Sequence, residues 1–226
     1  MAETGLQAID CNMTDNSRRP KKARNKTAAR KQVRRLTKRA SASPPAVLLD
    51  REGVINRRIR NGYVTTWKRF AFLPGAMRAI RQLSTRGYRV LVVSNQAGVG
   101  KGLMSLQTLE EITRRFLSHV ERAGGLISRV YYCTHRAEDG CDCRKPKPGL
   151  LLNAQAEFHF DPARTFMVGD TESDITAATR AGCKAILVSK SRKAIWHVWA
   201  HQPVTVVPDL LTAVAYIFAQ SSGARK

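Results

Sequence analysis

Short apolar runs closed by polar strings alternate along this chain with stretches of helical periodicity. Ala46–Leu49 ends at Asp50, residues 90–93 end at Ser94, and residues 165–168 end at Gly169-Asp170. Unbroken aliphatic runs of this length read as strands buried on both faces. Strands are therefore expected at 46–49, 89–93, 127–132 and 165–168, with two shorter ones at Lys184–Val188 and 204–207. Between them the apolar spacing becomes helical. Residues 75–85 place Ala76, Ile80 and Leu83 on one face, and Leu106–Arg122 aligns Leu109, Ile112, Phe116 and Val120. Further helices are expected at 148–158 and 173–181, and Asp209 is suited to cap a last one at 210–219. Strands alternating with helices predict an α/β fold: a Rossmann-like, doubly wound parallel sheet with right-handed crossovers. The connections are too short for a large second domain, so a minimal cap is expected.

Composition changes this picture at the N-terminus. The chain has 226 residues and a formal charge of +22. Residues 1–45 hold 12 Lys/Arg against 3 Asp/Glu, a net +9, and the remaining +13 is spread over the rest. Few large apolar side chains and a dense basic block predict a disordered extension over 1–45. A single α/β domain is expected over 46–220, with a disordered tail at 221–226. The positive surface attracts anions, so nucleic acid or an anionic surface is a second class of partner for the basic extension. No stretch is long and apolar enough to span a membrane, and no secretory leader is recognisable. Cytoplasmic location and a monomer are the resulting expectations.

Five cysteines, three of them clustered, do not suggest a disulfide framework. Cys133-Thr134-His135 and Cys141-Asp142-Cys143 form two tight pairs across a short loop. Three thiolates and one imidazole suit tetrahedral Zn²⁺ with no open position, hence a structural site. The alternative is buried, unmetallated cysteine. Cys183 reads as a small core residue. Trp196, His197, Trp199 and His201 suggest packing or a surface contact.

The polar strings carry the chemistry. A carboxylate at the carboxyl end of a parallel strand lies where open α/β sheets bind ligands. Asp50 alone reads equally well as a strand-end turn or helix cap. It is followed, however, by Ser94-Asn95-Gln96-Ala97-Gly98, by Arg144-Lys145-Pro146-Lys147-Pro148-Gly149, and by Gly169-Asp170-Thr171-Glu172-Ser173-Asp174. A carboxylate, a hydroxyl, a basic pair and a second carboxylate cluster recur in a fixed order.

That order resembles the haloacid dehalogenase superfamily of phosphohydrolases over about residues 47–188. The wording is most similar to the heptose 1,7-bisphosphate phosphatase branch, with the histidinol-phosphatase branch nearby. The resemblance implies an Mg²⁺-dependent phosphatase acting on a small phosphorylated sugar through an aspartyl-phosphate. Asp50 would be the nucleophile, Ser94 a hydrogen-bond donor to the phosphoryl group, and Lys145 the neutralising cation. Asp50, Asp170 and the main-chain carbonyl of Glu52 would hold Mg²⁺, with Asp174 a further ligand or support. Arg144 would contact substrate phosphate, the main-chain amides of Asn95 and Gln96 would add donors, and Gly62 and Tyr63 would line the substrate loop.

The chain departs from that pattern in several places. Glu52 stands where Asp is usual as the acid/base, one methylene longer. It works with a compensating backbone, slows the enzyme, or leaves a protein that binds phosphate esters without turnover. The stretch 61–63 lies two residues further from Asn56 than in the heptose branch, Thr171 and Lys101 replace Lys and Arg, and the zinc loop is short. The alternatives are therefore histidinol-phosphate phosphatase, polynucleotide 3′-phosphatase, or a weakened phosphate-ester or nucleic-acid binder.

Overall fold

The computed structural model describes residues 44–190 and 204–222. Nearly all of the expected extension at 1–45 lies outside those residues, as does the stretch holding Trp196, His197, Trp199 and His201. The strands are β1 (Ala46–Leu49), β2 (Arg89–Asn95), β3 (Arg129–Cys133), β4 (Phe166–Gly169), β5 (Lys184–Val188) and β6 (Thr205–Val207). The helices are α1 (Ala76–Thr85), α2 (Leu106–Arg122), α3 (Gly149–Phe158), α4 (Glu172–Arg180) and α5 (Leu210–Ser222). Short 3₁₀ turns at Trp67–Arg69 and Pro162–Arg164 were not expected. All six strands are parallel, in the order β3-β2-β1-β4-β5-β6. The order reverses between β1 and β4, so the switch-point crevice opens at the carboxyl ends of these two strands.

The strands are apolar throughout because both faces are covered. Val47 and Leu49 of β1 point into one core with α1, α2 and α5, whose Ile80, Phe116 and Val214 pack there. Ala46 and Leu48 point into a second core with α3 and α4, through Leu151, Ala154 and Ala178. Phe116 is fully buried, and its ring stacks on Phe70 at 5.8 Å and meets Phe72 at 6.2 Å. This aromatic group fastens the chain between β1 and α1 onto α2.

Several boundaries differ from the periodicity by one or two residues, as where β3 begins at Arg129 and β4 at Phe166. Strand β2 runs two residues past Val93, because β3 continues to pair with Ser94 and Asn95. Helix α5 continues to Ser222, beyond the expected end of the domain at 220, where the Tyr88 hydroxyl lies 2.6 Å from Ser221 Oγ. Among the described residues, no helix is long and apolar enough to cross a membrane. The connections that follow β1, β2 and β3, residues 50–75, 96–105 and 134–148, begin with or contain the polar strings at the carboxyl ends of the strands.

Truncating Phe116 to Ala removes the centre of the aromatic group. The expected loss is about 3–5 kcal/mol in urea unfolding with the slope unchanged.

Candidate active site

Asp50 and Asp170 follow the two strands that flank the switch point, and Asp50 N–H donates to Val168 O at 2.9 Å. Lys145 arrives from the connection before α3. Its ammonium donates to Asp50 Oδ1 and to Val93 O, both at 2.8 Å, and lies 2.6 Å from Asp174 Oδ1. Asp50, Lys145 and Asp174 are each less than 5% exposed. Burial alone would lower the Lys145 pKa, but Asp174 and Asp50 outweigh it and hold the ammonium charged. Burial pushes the Asp50 carboxyl above its ordinary value, with Lys145 pulling the other way and Asp174 adding to the rise.

Asp174 sits one helical turn into the site and is used on both sides. Its Oδ2 accepts from Thr171 N at 3.0 Å and Thr171 Oγ1 at 2.6 Å, closing the first turn of α4. Its Oδ1 faces Lys145. Asp174 was expected as a metal ligand or a support of the metal site; its contacts here are with Lys145 and Thr171.

Asp170 is paired with a residue the sequence reading passed over. Arg58 donates from Nε to Asp170 Oδ2 at 2.9 Å and from Nη2 to Oδ1 at 2.6 Å. Even so, burial pushes Asp170 up to about 6, against the pull of Arg58 and with Asp50 and Asp174 adding to it. Three carboxylates offer oxygens within 4.8 Å of one another. Oxygen donors of this density fit a hard divalent cation such as Mg²⁺. The seated guanidinium is a stand-in that marks the pocket as one for positive charge. A Cβ at Gly53, whose φ is +85°, would overlap the Asp170 carboxylate, so only glycine lets the two segments approach this closely.

Glu52 projects beside Asp50, with its Oε1 bound by Arg51 Nη2 at 2.8 Å and approached by Gln96 Nε2 at 3.4 Å. Arg51 is wholly buried and also donates to Gln96 Oε1 at 2.9 Å and Tyr132 OH at 3.3 Å. Arg51 had no role assigned from sequence. Ser94, at the end of β2, lines the same cavity and accepts from Gln96 Nε2 at 3.2 Å.

One expected main-chain donor is already engaged. The main-chain amide of Gln96 donates to Cys133 O at 2.7 Å, and Gln96 is 1% exposed, so this amide is already used. Asn95 lines the cavity, but its side chain brackets Lys145, donating to Lys145 O at 3.0 Å and accepting from Lys145 N at 3.1 Å. Its side chain thus fixes the loop that carries the ammonium. Arg144, Gly62 and Tyr63 do border the cavity, which has a volume of about 670 Å³, and Lys101 lies 5.6 Å from the Tyr63 ring centre. That volume suits a small phosphorylated molecule.

Cys133, His135, Cys141 and Cys143 form a closed cage. Cys133 Sγ and Cys143 Sγ lie 3.6 and 3.5 Å from Cys141 Sγ, and 3.8 and 3.3 Å from His135 Nδ1. A tetrahedron built on Zn–S bonds of about 2.3 Å has edges of about 3.8 Å, so the cage is the right size. Burial raises the Cys141 pKa, but hydrogen bonds from Cys143 Sγ and the backbone N–H groups of Arg144 and Cys143 outweigh it, which favours thiolate. The cage also anchors its neighbours. Gly100 N–H donates to Thr134 O at 3.0 Å, and Arg144 Nη1 donates to His135 O at 3.3 Å.

A family model described as HAD-hydrolase-like matches residues 142–213. The D-glycero-beta-D-manno-heptose-1,7-bisphosphate 7-phosphatase of Pseudomonas putida is 35% identical over 169 residues, covering 75% of this chain and 96% of the relative. That of Haemophilus ducreyi is 36% identical over 179 residues, covering 76% and 97%. A crystal structure of D,D-heptose 1.7-bisphosphate phosphatase from B. bronchiseptica, complexed with magnesium and phosphate, superposes with a TM-score of 0.74 at 30% identity, covering 78% of this chain and 99% of that one.

Cys143→Ser opens the cage. Elemental analysis is expected to find about one zinc per wild-type chain and less in the variant, with a thermal midpoint lower by several degrees. Equal zinc content in both would remove the structural-zinc reading.

Proposed function

This chain belongs to the haloacid-dehalogenase-like phosphatases, and from that membership we propose that it removes a phosphate from D-glycero-beta-D-manno-heptose 1,7-bisphosphate. The observation that carries the reading is the convergence of Asp50, Ser94, Lys145 and Asp174 around one cavity at the switch point of the sheet, with an Asp170 oxygen within 4.8 Å of the Asp50 and Asp174 carboxylates. The heptose substrate is favoured by the relatives, which are matched over nearly their whole length.

In the proposed reaction one oxygen of Asp50 attacks phosphorus and the phosphorus–oxygen bond to the sugar breaks. Glu52 gives a proton to the departing sugar oxygen. It then takes one from water as that water attacks the aspartyl-phosphate, releasing phosphate and restoring Asp50. Lys145 and Ser94 stabilise charge on the phosphoryl oxygens, the main requirement in phosphoryl transfer. Asp50, Asp170 and the Glu52 carbonyl would hold Mg²⁺, which when bound offsets the repulsion between the Asp50 carboxylate and the phosphate dianion.

Glu52 gives a second reading its footing. The contacts of Oε1 with Arg51 and Gln96 hold the longer side chain back, leaving Oε2 as the acid/base. On this account Glu52 replaces Asp without disabling the chemistry. The competing account is a slow enzyme, in which the displaced carboxyl limits turnover.

Phosphate release should be measured with Mg²⁺ on both heptose 1,7-bisphosphate anomers, histidinol phosphate and a 3′-phosphorylated oligonucleotide. Release from the heptose substrate is expected, with Asp50→Asn reduced at least about a thousandfold, as for loss of a covalent nucleophile. Release from another substrate alone would overturn the heptose assignment.

Glu52→Gln is expected to lower kcat by about 10²–10⁴, the usual contribution of a general acid/base. Glu52→Asp is expected to leave kcat unchanged or lower it, because the shorter side chain loses Arg51. A clear rise would establish the slow-enzyme account instead.

A further inference from the structure

Arg58 occupies the place assigned to the divalent cation. Its Nη2 lies 2.6 Å from Asp170 Oδ1, 3.3 Å from the Glu52 carbonyl oxygen and 3.9 Å from Asp50 Oδ2, and its Nε lies 2.9 Å from Asp170 Oδ2. These oxygens come from the same three groups proposed to hold Mg²⁺. A bound cation and the guanidinium would compete for these same oxygens. A hard cation also needs its own near-octahedral shell of oxygens, which the guanidinium would obstruct.

The two cations of the site are held very differently. Lys145 is 2% exposed in its side chain and donates to a strand carbonyl as well as to Asp50, so it is part of the frame. The Arg58 side chain is 45% exposed. Arg57, Arg60 and Asn61 beside it are exposed too, and the polar contacts of the guanidinium are all with the metal-site groups. It can therefore leave without unmaking a packed core, and the cavity that it borders gives it room. Three clustered carboxylates with Lys145 alone would carry net negative charge. A second positive charge, from Arg58 or from a bound ion, offsets part of that excess.

We propose that Arg58 is a tethered cation that seals the carboxylate nest in the metal-free protein and exchanges with the divalent ion when it binds. The inference rests on the metal-dependent phosphatase reading and extends it to the metal affinity. Entry of the ion must break the Arg58 contacts, so the protein binds metal more weakly than the bare nest would. The exchange is by contact, and Arg60, which has no recorded contact with the nest, should not reproduce it.

The test is Mn²⁺ binding to the full chain, followed by the electron paramagnetic resonance signal of free Mn²⁺, with no substrate present. Mn²⁺ takes the same oxygen ligands as Mg²⁺. Arg58→Met is expected to bind Mn²⁺ about tenfold more tightly than wild type, in proportion to the charge-assisted hydrogen bonds no longer opposing the ion. Arg58→Gln, neutral but still hydrogen-bonding, is expected to shift in the same direction. Arg60→Met is expected to stay within about twofold of wild type, and Asp170→Asn to abolish the binding. Far-UV circular dichroism checks that each variant is folded. Equal or weaker binding in both Arg58 variants would overturn the exchange while leaving the metal-dependent phosphatase intact. Equal tightening in Arg60→Met would overturn it in favour of a general charge effect. Absence of binding to every protein, wild type included, would overturn both the exchange and the metal site on which it rests.

Discussion

The buried triad of Asp50, Lys145 and Asp174 is the constraint on which the site depends. One ammonium lies within 2.8 Å of two carboxylates at the switch point of the sheet, all three withdrawn from water. Removing one member would leave an uncompensated buried charge, which is costly. The triad therefore ties the end of β1, the connection before α3 and the first turn of α4 into one unit. Asn95 completes it by bracketing the main chain of Lys145 from the end of β2. Four segments far apart in sequence are held in register by one ammonium.

Around that triad, the supporting contacts come from groups that touch no substrate in the proposed reaction. Arg51 is buried between Glu52, Gln96 and Tyr132, and the Tyr132 hydroxyl lies 2.9 Å from Thr113 Oγ1 on α2. The acid/base candidate is thereby connected to a helix on the far side of its loop. The cysteine–histidine cage does the same for the basic pair. Cys143 directly precedes Arg144 and Lys145, while backbone hydrogen bonds carry the cage's order to Gln96 and Gly100. Positioning of this kind matters because errors of about an ångström in a catalytic group can cost roughly a hundredfold in rate.

The fold was legible because its strands are buried on both faces and its helices bury one stripe. Ala46–Leu49 and Leu106–Arg122 follow directly from those two periods. Asp50, Lys145 and the four cage residues were legible because each belongs to a short string in which several polar groups of one chemistry are crowded together. Arg51 and Arg58 were not. In a chain with 39 Lys/Arg, two more arginines carry no contrast. Gln96 and Asn95 were recognised as members of the site through their main-chain amides, whereas the contacts of their side chains were not foreseen. Which way an amide side chain points depends on partners from β3 and from the connection before α3.

The sequence by itself determined the parallel α/β architecture, the order of the polar strings and the chemistry each could supply. Apolar period and residue type are local properties, readable a few positions at a time. The tertiary structure alone decided the pairings: Lys145 with Asp174, Arg51 with Glu52, Asn95 with the Lys145 backbone, and Arg58 with Asp170. Such pairs span up to 112 residues, and charge and hydrogen bonding act only over a few ångströms. Only after the sheet has set the distances between its carboxyl ends does any of these side chains acquire a partner.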